Sequence, residues 1–97
     1  MRSRIRMIVI NEKDNVATAL DELPAGTTVS VKTEHGMEKI ELISHIPRGH
    51  KLALRHIERG GAVIKYGETI GKSTEEIPRG QHVHVHNVVS QSKGETQ

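Results

Sequence analysis

Three histidines alternate with valines in residues 81–87, which read QHVHVHN. Imidazole exchanges a proton near neutral pH, and its unprotonated nitrogen is the commonest metal ligand in proteins. The segment therefore indicates one of two chemistries, acid–base catalysis or the binding of a divalent metal. The plain alternative is an exposed strand face that is rich in histidine.

The valines between the histidines predict a β-strand, because β-branched residues favour strands. Successive side chains of a strand point to opposite faces, so His82, His84 and His86 are expected to share one face. Val83 and Val85 are then expected to face the core. Because neutral imidazoles are costly to bury without partners, the histidine face is expected to point to solvent, a cleft or another chain.

The spacing of a strand limits how many of these histidines one ion can bind. Alternate residues lie about 7 Å apart at Cα, and the first and third histidines about 13 Å apart. We therefore expect two of them, His82 and His84, to bind a metal. A further ligand would come from His50, His56 or a carboxylate on a partner subunit, so the predicted site is incomplete within this chain.

The composition describes one small domain with an aliphatic interior. The chain has 97 residues, no cysteine, Trp or Phe, and one tyrosine, Tyr66. The lack of cysteine excludes disulfides, thiolate ligands and cysteine nucleophiles. A formal charge of +2 without aromatic platforms argues against nucleic-acid binding. The apolar run at residues 7–10 is too short for a signal peptide or a membrane span, which predicts a cytoplasmic protein without membrane contact.

The pattern along the chain predicts a mainly β domain over residues 1–89 with one short helix, followed by a flexible polar tail at residues 90–97. A first strand is expected at residues 4–10 and a hairpin at residues 27–46. The helix is expected between Asp14, a candidate N-cap, and Pro24, because apolar residues recur there at helical spacing. The sequence IPRG occurs at residues 46–49 and 77–80, which predicts a repeated turn and not a repeated domain.

The loop at residues 47–51 carries Arg48, His50 and Lys51 around a glycine. Guanidinium and ammonium groups bind carboxylates, so this loop is a candidate binding site for an acidic ligand. The plain alternative is a basic turn that is exposed to solvent. No phosphate-binding glycine motif and no Ser-His-Asp pattern is present, which argues against nucleotide binding and nucleophilic catalysis by this chain alone.

Three stretches carry a specific combination of motifs: DNVATAL at residues 14–20, PRGHKLALRHIERGGAVIKYGETIG at residues 47–71 and IPRGQHVHVHN at residues 77–87. In this order and spacing they resemble the N-terminal domain of the altronate dehydratase family, over residues 8–88. Galactarate dehydratase and the sulfolactate sulfo-lyase are members of the same family. The small subunit of the sulfo-lyase is similar to this N-terminal domain and is a separate chain.

The resemblance implies a SAF-type domain with a β-clip fold, built from short bent strands. It also implies a metal-dependent elimination of water from a sugar acid, with Fe²⁺ or another divalent metal bound mainly by a large catalytic chain. The expected protein is thus the small subunit of an altronate-type hydro-lyase, inactive without its large subunit. Self-association stays open.

The residues expected nearest the chemistry are His84, His86 and His50, as acids, bases or ligands. The residues expected to bind the substrate are Arg48, Lys51, Lys65, Tyr66 and Asn87. The alternative function is a non-catalytic β-clip domain that binds a sugar acid or serves regulation or assembly. An independent metal-binding protein is disfavoured, because the chain is expected to supply part of a coordination sphere.

Overall fold

The computed structural model of the chain describes residues 7–8, 12–33 and 36–90. These residues form nine β-strands and no helix. The strands are β1 (Met7–Ile8), β2 (Val16–Ala19), β3 (Thr28–Thr33), β4 (Gly36–Glu41), β5 (Lys51–Ala53), β6 (Ala62–Lys65), β7 (Glu68–Ser73), β8 (His82–Val83) and β9 (Val88–Ser90). Across these described ranges no helix has the length and apolarity to span a bilayer.

The strands form three antiparallel sheets. β1, β2, β5 and β8 lie side by side in that order, β3 pairs with β4, and β7 lies between β6 and β9. Leu52 of β5 lies opposite His82 of β8, and Lys51 lies opposite Val83. The strand that carries the first histidine of the row is therefore the neighbour of the strand that follows His50.

The predicted mainly β architecture is confirmed. The predicted hairpin is β3 with β4, where Thr28 pairs with Glu41 and Thr33 with Gly36. β1 lies within the predicted first strand, whose other residues lie outside the described ranges. Ser90, the first residue of the predicted tail, ends β9, and residues 91–97 also lie outside those ranges.

The short helix predicted after Asp14 is wrong, because residues 16–19 form strand β2. This strand is covered on both faces, with Val16 in one apolar cluster and Ala17 in the other. A strand buried on both faces does not alternate apolar and polar residues, so its pattern is easily taken for a helical one. Asp14 caps no helix, and its Oδ1 accepts a hydrogen bond of 2.8 Å from the Gly67 N–H.

Two aliphatic clusters form the core, one on each face of the paired strands β2 and β5. Leu52 packs with Ile46 in the first cluster, and Ala53 packs with Ile77 in the second. The buried hydrophobic residues of the described chain are all Ala, Val, Leu or Ile, as the composition predicted. Burying each branched side chain contributes roughly 1.5–3 kcal/mol, so both faces of the central strands help to hold the fold.

Four turns of one design link the strands within the described residues, at 24–27, 47–50, 58–61 and 78–81. In each, the N–H of the fourth residue donates to the carbonyl of the first, and the third residue is a glycine with positive φ. This is type II geometry, which favours glycine at the third position. The IPRG repeat marks two of the four copies, whereas LPAG at residues 23–26 and IERG at 57–60 form the same turn from different letters.

Two of these turns deliver the histidines. One ends at His50, directly before β5, and the other ends directly before His82 of β8. The Gly49 N–H donates to the Ala19 carbonyl (2.9 Å), and the Gly80 N–H donates to the Ala53 carbonyl (2.8 Å). Because β5 and β8 are neighbours, the two turns place histidines from distant parts of the sequence side by side.

Candidate functional site

The histidine row is a strand only at its start. β8 ends at Val83, and residues 84–87 form a turn. The predicted common strand face is therefore wrong beyond Val83, which is buried as expected, whereas Val85 is 81% exposed. The turn is the physical reason, because side chains alternate between two faces only while the backbone stays extended.

Asn87 holds this turn with its side chain and its main chain. Its side-chain Oδ1 accepts a hydrogen bond from the His84 N–H (2.9 Å), and its Nδ2 donates to the His82 carbonyl (2.9 Å). The Asn87 N–H donates to the His84 carbonyl (3.0 Å). The residue is 1% exposed, so its amide shapes the turn, and its predicted contact with a substrate hydroxyl stays a prediction.

The turn gathers four imidazoles, those of His50, His82, His84 and His86, which we call the histidine cluster. The His50 and His84 rings stack with centroids 3.8 Å apart and 12° between their planes, and the centroids of His82 and His86 lie 5.0 Å apart. An extended strand would hold the first and third histidines of the row about 13 Å apart at Cα. Because the strand ends at Val83, that extended spacing does not apply here, and the turn makes the His82 and His86 rings neighbours.

One hydrogen bond joins the two turns that carry the cluster. His50 Nδ1 lies 2.8 Å from His82 Nε2, so one of the two rings donates and the other accepts. The main-chain N–H of His82 donates to the Ser44 Oγ (2.8 Å). Both the ring and the backbone of His82 are thus fixed.

Burial and neighbouring charges disfavour protonation of two rings of the cluster, those of His82 and His84. The pKa of His82 is lowered from 6.5 to about 4, first because burial disfavours the charged ring and then because the neighbouring imidazoles repel a second positive charge. The pKa of His84 is lowered as well, first by burial and then by His50 and Lys51. At neutral pH both rings therefore have a lone pair with which to take a proton or bind a metal.

The donor set fits a divalent metal. One ring nitrogen from each of His50, His82 and His84 lies within 4.8 Å of the others, and imidazole nitrogens suit Fe²⁺ and Zn²⁺. Both residues predicted as ligands, His82 and His84, lie in this group, and His50 was one of the expected additions. His56, the other candidate, lies 3.5 Å from the Glu76 carboxylate instead.

A groove of about 170 Å³ opens beside the cluster. Lys51, His84 and Ser90 form its polar lining, and apolar side chains from β6, β7, β8 and β9 form the rest. The groove therefore combines a lysine and a histidine with apolar side chains, which suits a ligand with one carboxylate.

The SAF domain of the altronate and galactarate dehydratases matches this chain over residues 5–91. The chain belongs to this family. Altronate dehydratase of Escherichia coli (strain K12) is 45% identical to it over 83 residues, which are 86% of this chain and 16% of that enzyme. Galactarate dehydratase (L-threo-forming) of the same strain is 41% identical over 78 residues, 78% of this chain and 14% of that enzyme.

A third relative is a shorter chain. The alpha subunit of (2R)-sulfolactate sulfo-lyase from Chromohalobacter salexigens is 48% identical over 50 residues, 52% of this chain and 53% of that subunit. The SAF domain described here thus spans about one sixth of the altronate dehydratase and about half of the sulfo-lyase subunit. The resemblance inferred from the sequence motifs is confirmed.

The residues predicted to bind substrate fall into two groups in this SAF domain. Lys51 lies at the groove and Arg48 is exposed in the turn before it, whereas Lys65 and Tyr66 lie at the β6–β7 hairpin. The Lys65 Nζ lies 3.7 Å from the centre of the Tyr66 ring. Among the described residues, none of the hydrogen bonds, ion pairs and ring contacts joins this hairpin to the histidine cluster.

Tyr66 itself has φ 58°. That left-handed region favours Gly or Asn, so a tyrosine at this position raises the conformational free energy of the folded chain. Its role in substrate binding stays a prediction.

The groups that support the cluster were missed from the sequence. Ser44 accepts a hydrogen bond from His82, and His45, which lies 2.6 Å from the Glu22 carboxylate, contributes to the lowered pKa of His82. The one signal in the sequence that points to these groups is the repeated IPRG turn. The second copy, at residues 77–80, lies against the segment that precedes the first copy, and there the Ile43 N–H donates to the Gly80 carbonyl (3.1 Å).

Proposed function

We propose that this chain is the small subunit of a metal-dependent sugar-acid dehydratase of the altronate type, and that it completes an active site shared with a separate large subunit. The histidine cluster is the observation that carries the proposal, because it gathers four imidazoles, and one of them, that of His84, lines a groove together with Lys51. Relatives named as two dehydratases and a lyase subunit support the reaction class.

The region that this chain matches is 16% of altronate dehydratase and 14% of galactarate dehydratase. In the proposed arrangement a separate large subunit supplies the remaining catalytic apparatus. The name of the sulfo-lyase relative, subunit alpha, supports an arrangement in which a SAF domain is a chain of its own.

Eliminating water from a sugar acid requires two proton transfers. A base removes the proton from the carbon beside the carboxylate, the C–H electrons form a C=C bond, and the hydroxyl on the next carbon leaves as water after an acid protonates it. His84 and His86 are the proposed proton carriers, and the lowered pKa of His84 leaves its ring ready to accept. A bound divalent metal such as Fe²⁺ supplies Lewis acidity that steadies the developing enolate.

Lys51 is the proposed partner of the substrate carboxylate. Its ammonium group lines the groove beside His84, so a carboxylate bound there places the neighbouring carbon close to the imidazole. Arg48, in the preceding turn, is the second cationic group of this loop. Fixing the acidic end of the substrate in this way contributes orientation, which is a large part of the rate gain in such reactions.

Reconstitution tests the proposal. The chain and a large dehydratase subunit from the same source are purified separately, and formation of the 2-oxo acid from altronate is measured with each alone and with both mixed. We expect the two chains to copurify and turnover to require both. Dehydration at an unchanged rate when this chain is left out would reject the proposal.

A further inference from the structure

Ring nitrogens of His50, His82 and His84 lie within 4.8 Å of one another although His50 is 32 residues away from His82 in sequence. We propose that these three histidines bind one divalent transition-metal ion within this chain alone. The inference deepens the proposed function, on whose histidine cluster it rests. It also revises the expectation that the chain supplies a partial site and that the metal is held mainly by the large subunit.

The distances suit a single ion. Two nitrogens about 2.1 Å from an ion and 2.8 Å apart, as His50 Nδ1 and His82 Nε2 are, subtend about 84° at the metal, close to the right angle between adjacent octahedral ligands. Two ligands on opposite sides of an ion lie about 4.2 Å apart, and the three donor atoms lie within 4.8 Å. The three rings lie nearly parallel, with 10° to 16° between their planes, so closing the group onto an ion requires the rings to turn until their in-plane lone pairs converge.

The backbone of each ligand is already held in place. The carbonyl of His50 accepts from the Ala19 N–H (2.8 Å), and the His82 N–H donates to the Ser44 Oγ (2.8 Å). The His84 N–H donates to the buried Asn87 side chain. A site whose ligands are positioned before the ion arrives loses little conformational entropy on binding, which raises its affinity.

Three imidazole ligands also determine which metals the site prefers and how many coordination positions stay open. Nitrogen donors select Fe²⁺, Co²⁺ or Zn²⁺ over Mg²⁺ and Ca²⁺, which prefer oxygen. Three protein ligands leave further coordination positions for water or a substrate oxygen, as in catalytic metal sites. Binding transfers the proton shared by His50 and His82 to the ring nitrogen that faces away from the metal. As a ligand His84 no longer serves as the proton carrier proposed above, whereas His86 stays outside the ligand set and keeps its imidazole for proton transfer.

Metal titration of the isolated 97-residue chain tests the inference without any reference to turnover. Binding of Co²⁺ is followed by calorimetry and by its visible ligand-field absorption, with Mg²⁺ as the oxygen-preferring comparison. We expect one Co²⁺ per chain and no measurable Mg²⁺ uptake. Substituting any one ligand, as in His50→Gln, His82→Gln or His84→Gln, is expected to weaken Co²⁺ binding more than the roughly 10- to 100-fold that loss of an outer-sphere partner costs.

The chain offers a matched control, because His56 pairs with a carboxylate outside the ligand set. His56→Gln is expected to bind Co²⁺ as the wild type does. A second readout on the wild-type protein covers variants that fail to fold: the ring protons of His50, His82 and His84 should be the imidazole resonances most shifted by Co²⁺. Absent binding, or Co²⁺ shifts centred on His45 or His56, would overturn the inference. Tight metal binding in a chain that proves dispensable for dehydration would reject the proposed function and leave the metal site standing.

Discussion

His82 combines burial with neighbouring imidazoles, and both effects oppose protonation of its ring. Its pKa of about 4 means that the ring is neutral over the whole physiological range. Unfolding exposes the side chain to water and returns its pKa to about 6.5. The difference between the two values makes the stability of the chain depend on pH.

We predict that the free energy of unfolding of the metal-free chain falls as the pH is lowered from about 6.5 towards about 4. Over this interval the unfolded state binds a proton that the folded His82 does not, so acid favours unfolding, and above pH 6.5 this contribution is fully retained. Urea denaturation at several pH values in the presence of a chelator measures the effect. His82→Gln is the matched variant, and it should lose less stability than the wild type over the same interval.

A stability difference between wild type and His82→Gln that is constant from about pH 7 to about pH 4 would contradict this assignment. The same holds if the His82 ring, followed by NMR, titrates at its ordinary pKa.

The chemistry of the histidine row was predictable from residue types, but its geometry was not. Alternation with valine correctly placed His82 and Val83 on opposite faces of a strand. The buried Asn87 then ends that strand by binding the His84 N–H and the His82 carbonyl. The sequence does not predict that Asn87 makes these hydrogen bonds, because the capping of a turn by a side chain depends on burial as well as on residue type.

Among the strands and turns, those that depend on local sequence were predicted, and those that depend on tertiary contacts were not. The β3–β4 hairpin was predicted because its alternation and its turn are both local. The prediction of a helix at β2 is wrong because both faces of this strand are buried, so its apolar residues do not alternate with polar ones. That burial depends on chain segments far away in sequence. The repeated IPRG sequence predicted a repeated turn, and the turns at 47–50 and 78–81 confirm it.

Two of these turns offer a controlled test of the packing around the cluster. Gly49 and Gly80 have nearly the same backbone angle, φ 83° and φ 86°. A Cβ at Gly80 would overlap the Glu41 carbonyl oxygen, whereas a Cβ at Gly49 meets nothing within 4 Å. Both alanine variants suffer the strain of a positive φ, about 1–2 kcal/mol, but Gly80→Ala also displaces a neighbouring backbone.

We therefore predict that Gly80→Ala lowers the free energy of unfolding by about 1–3 kcal/mol more than Gly49→Ala, the usual cost of overpacking. Denaturant melts of the two variants and the wild type measure the difference. Equal losses would show that the turn at 78–81 does not pack against the end of β4 as described.

At the scale of the whole molecule, the repeated turns explain how a chain with few large side chains builds a site. Each turn follows a buried Leu or Ile, and these residues pair in two bridges, Leu23 with Ile46 and Ile57 with Ile77. Short strands between the turns leave little room for side chains to vary in position. The turns at 47–50 and 78–81 then lie at neighbouring strands, which is why His50 reaches a histidine 32 residues away in sequence.

The sequence motifs identified the family, but they did not reveal this meeting of the two turns. G-H-K and H-V-H-x-H-N are separated in the chain, and their contact follows from the antiparallel pairing of β5 with β8. Such pairing is a long-range property that local patterns do not encode. The exposed tip of the turn, where Val85 is 81% exposed, faces outward beside the groove and fits a site that a second chain completes.

The most direct test of the account is turnover by the complex of this chain with its large subunit when His84 is replaced by alanine. We predict that His84→Ala leaves copurification intact and lowers the rate of altronate dehydration by at least about 100-fold, because the variant loses a group that transfers a proton or binds the metal. The control His56→Ala should keep the wild-type rate. A His84→Ala complex that dehydrates altronate at the wild-type rate, or a variant that loses association with the large subunit while keeping its fold, would contradict the account.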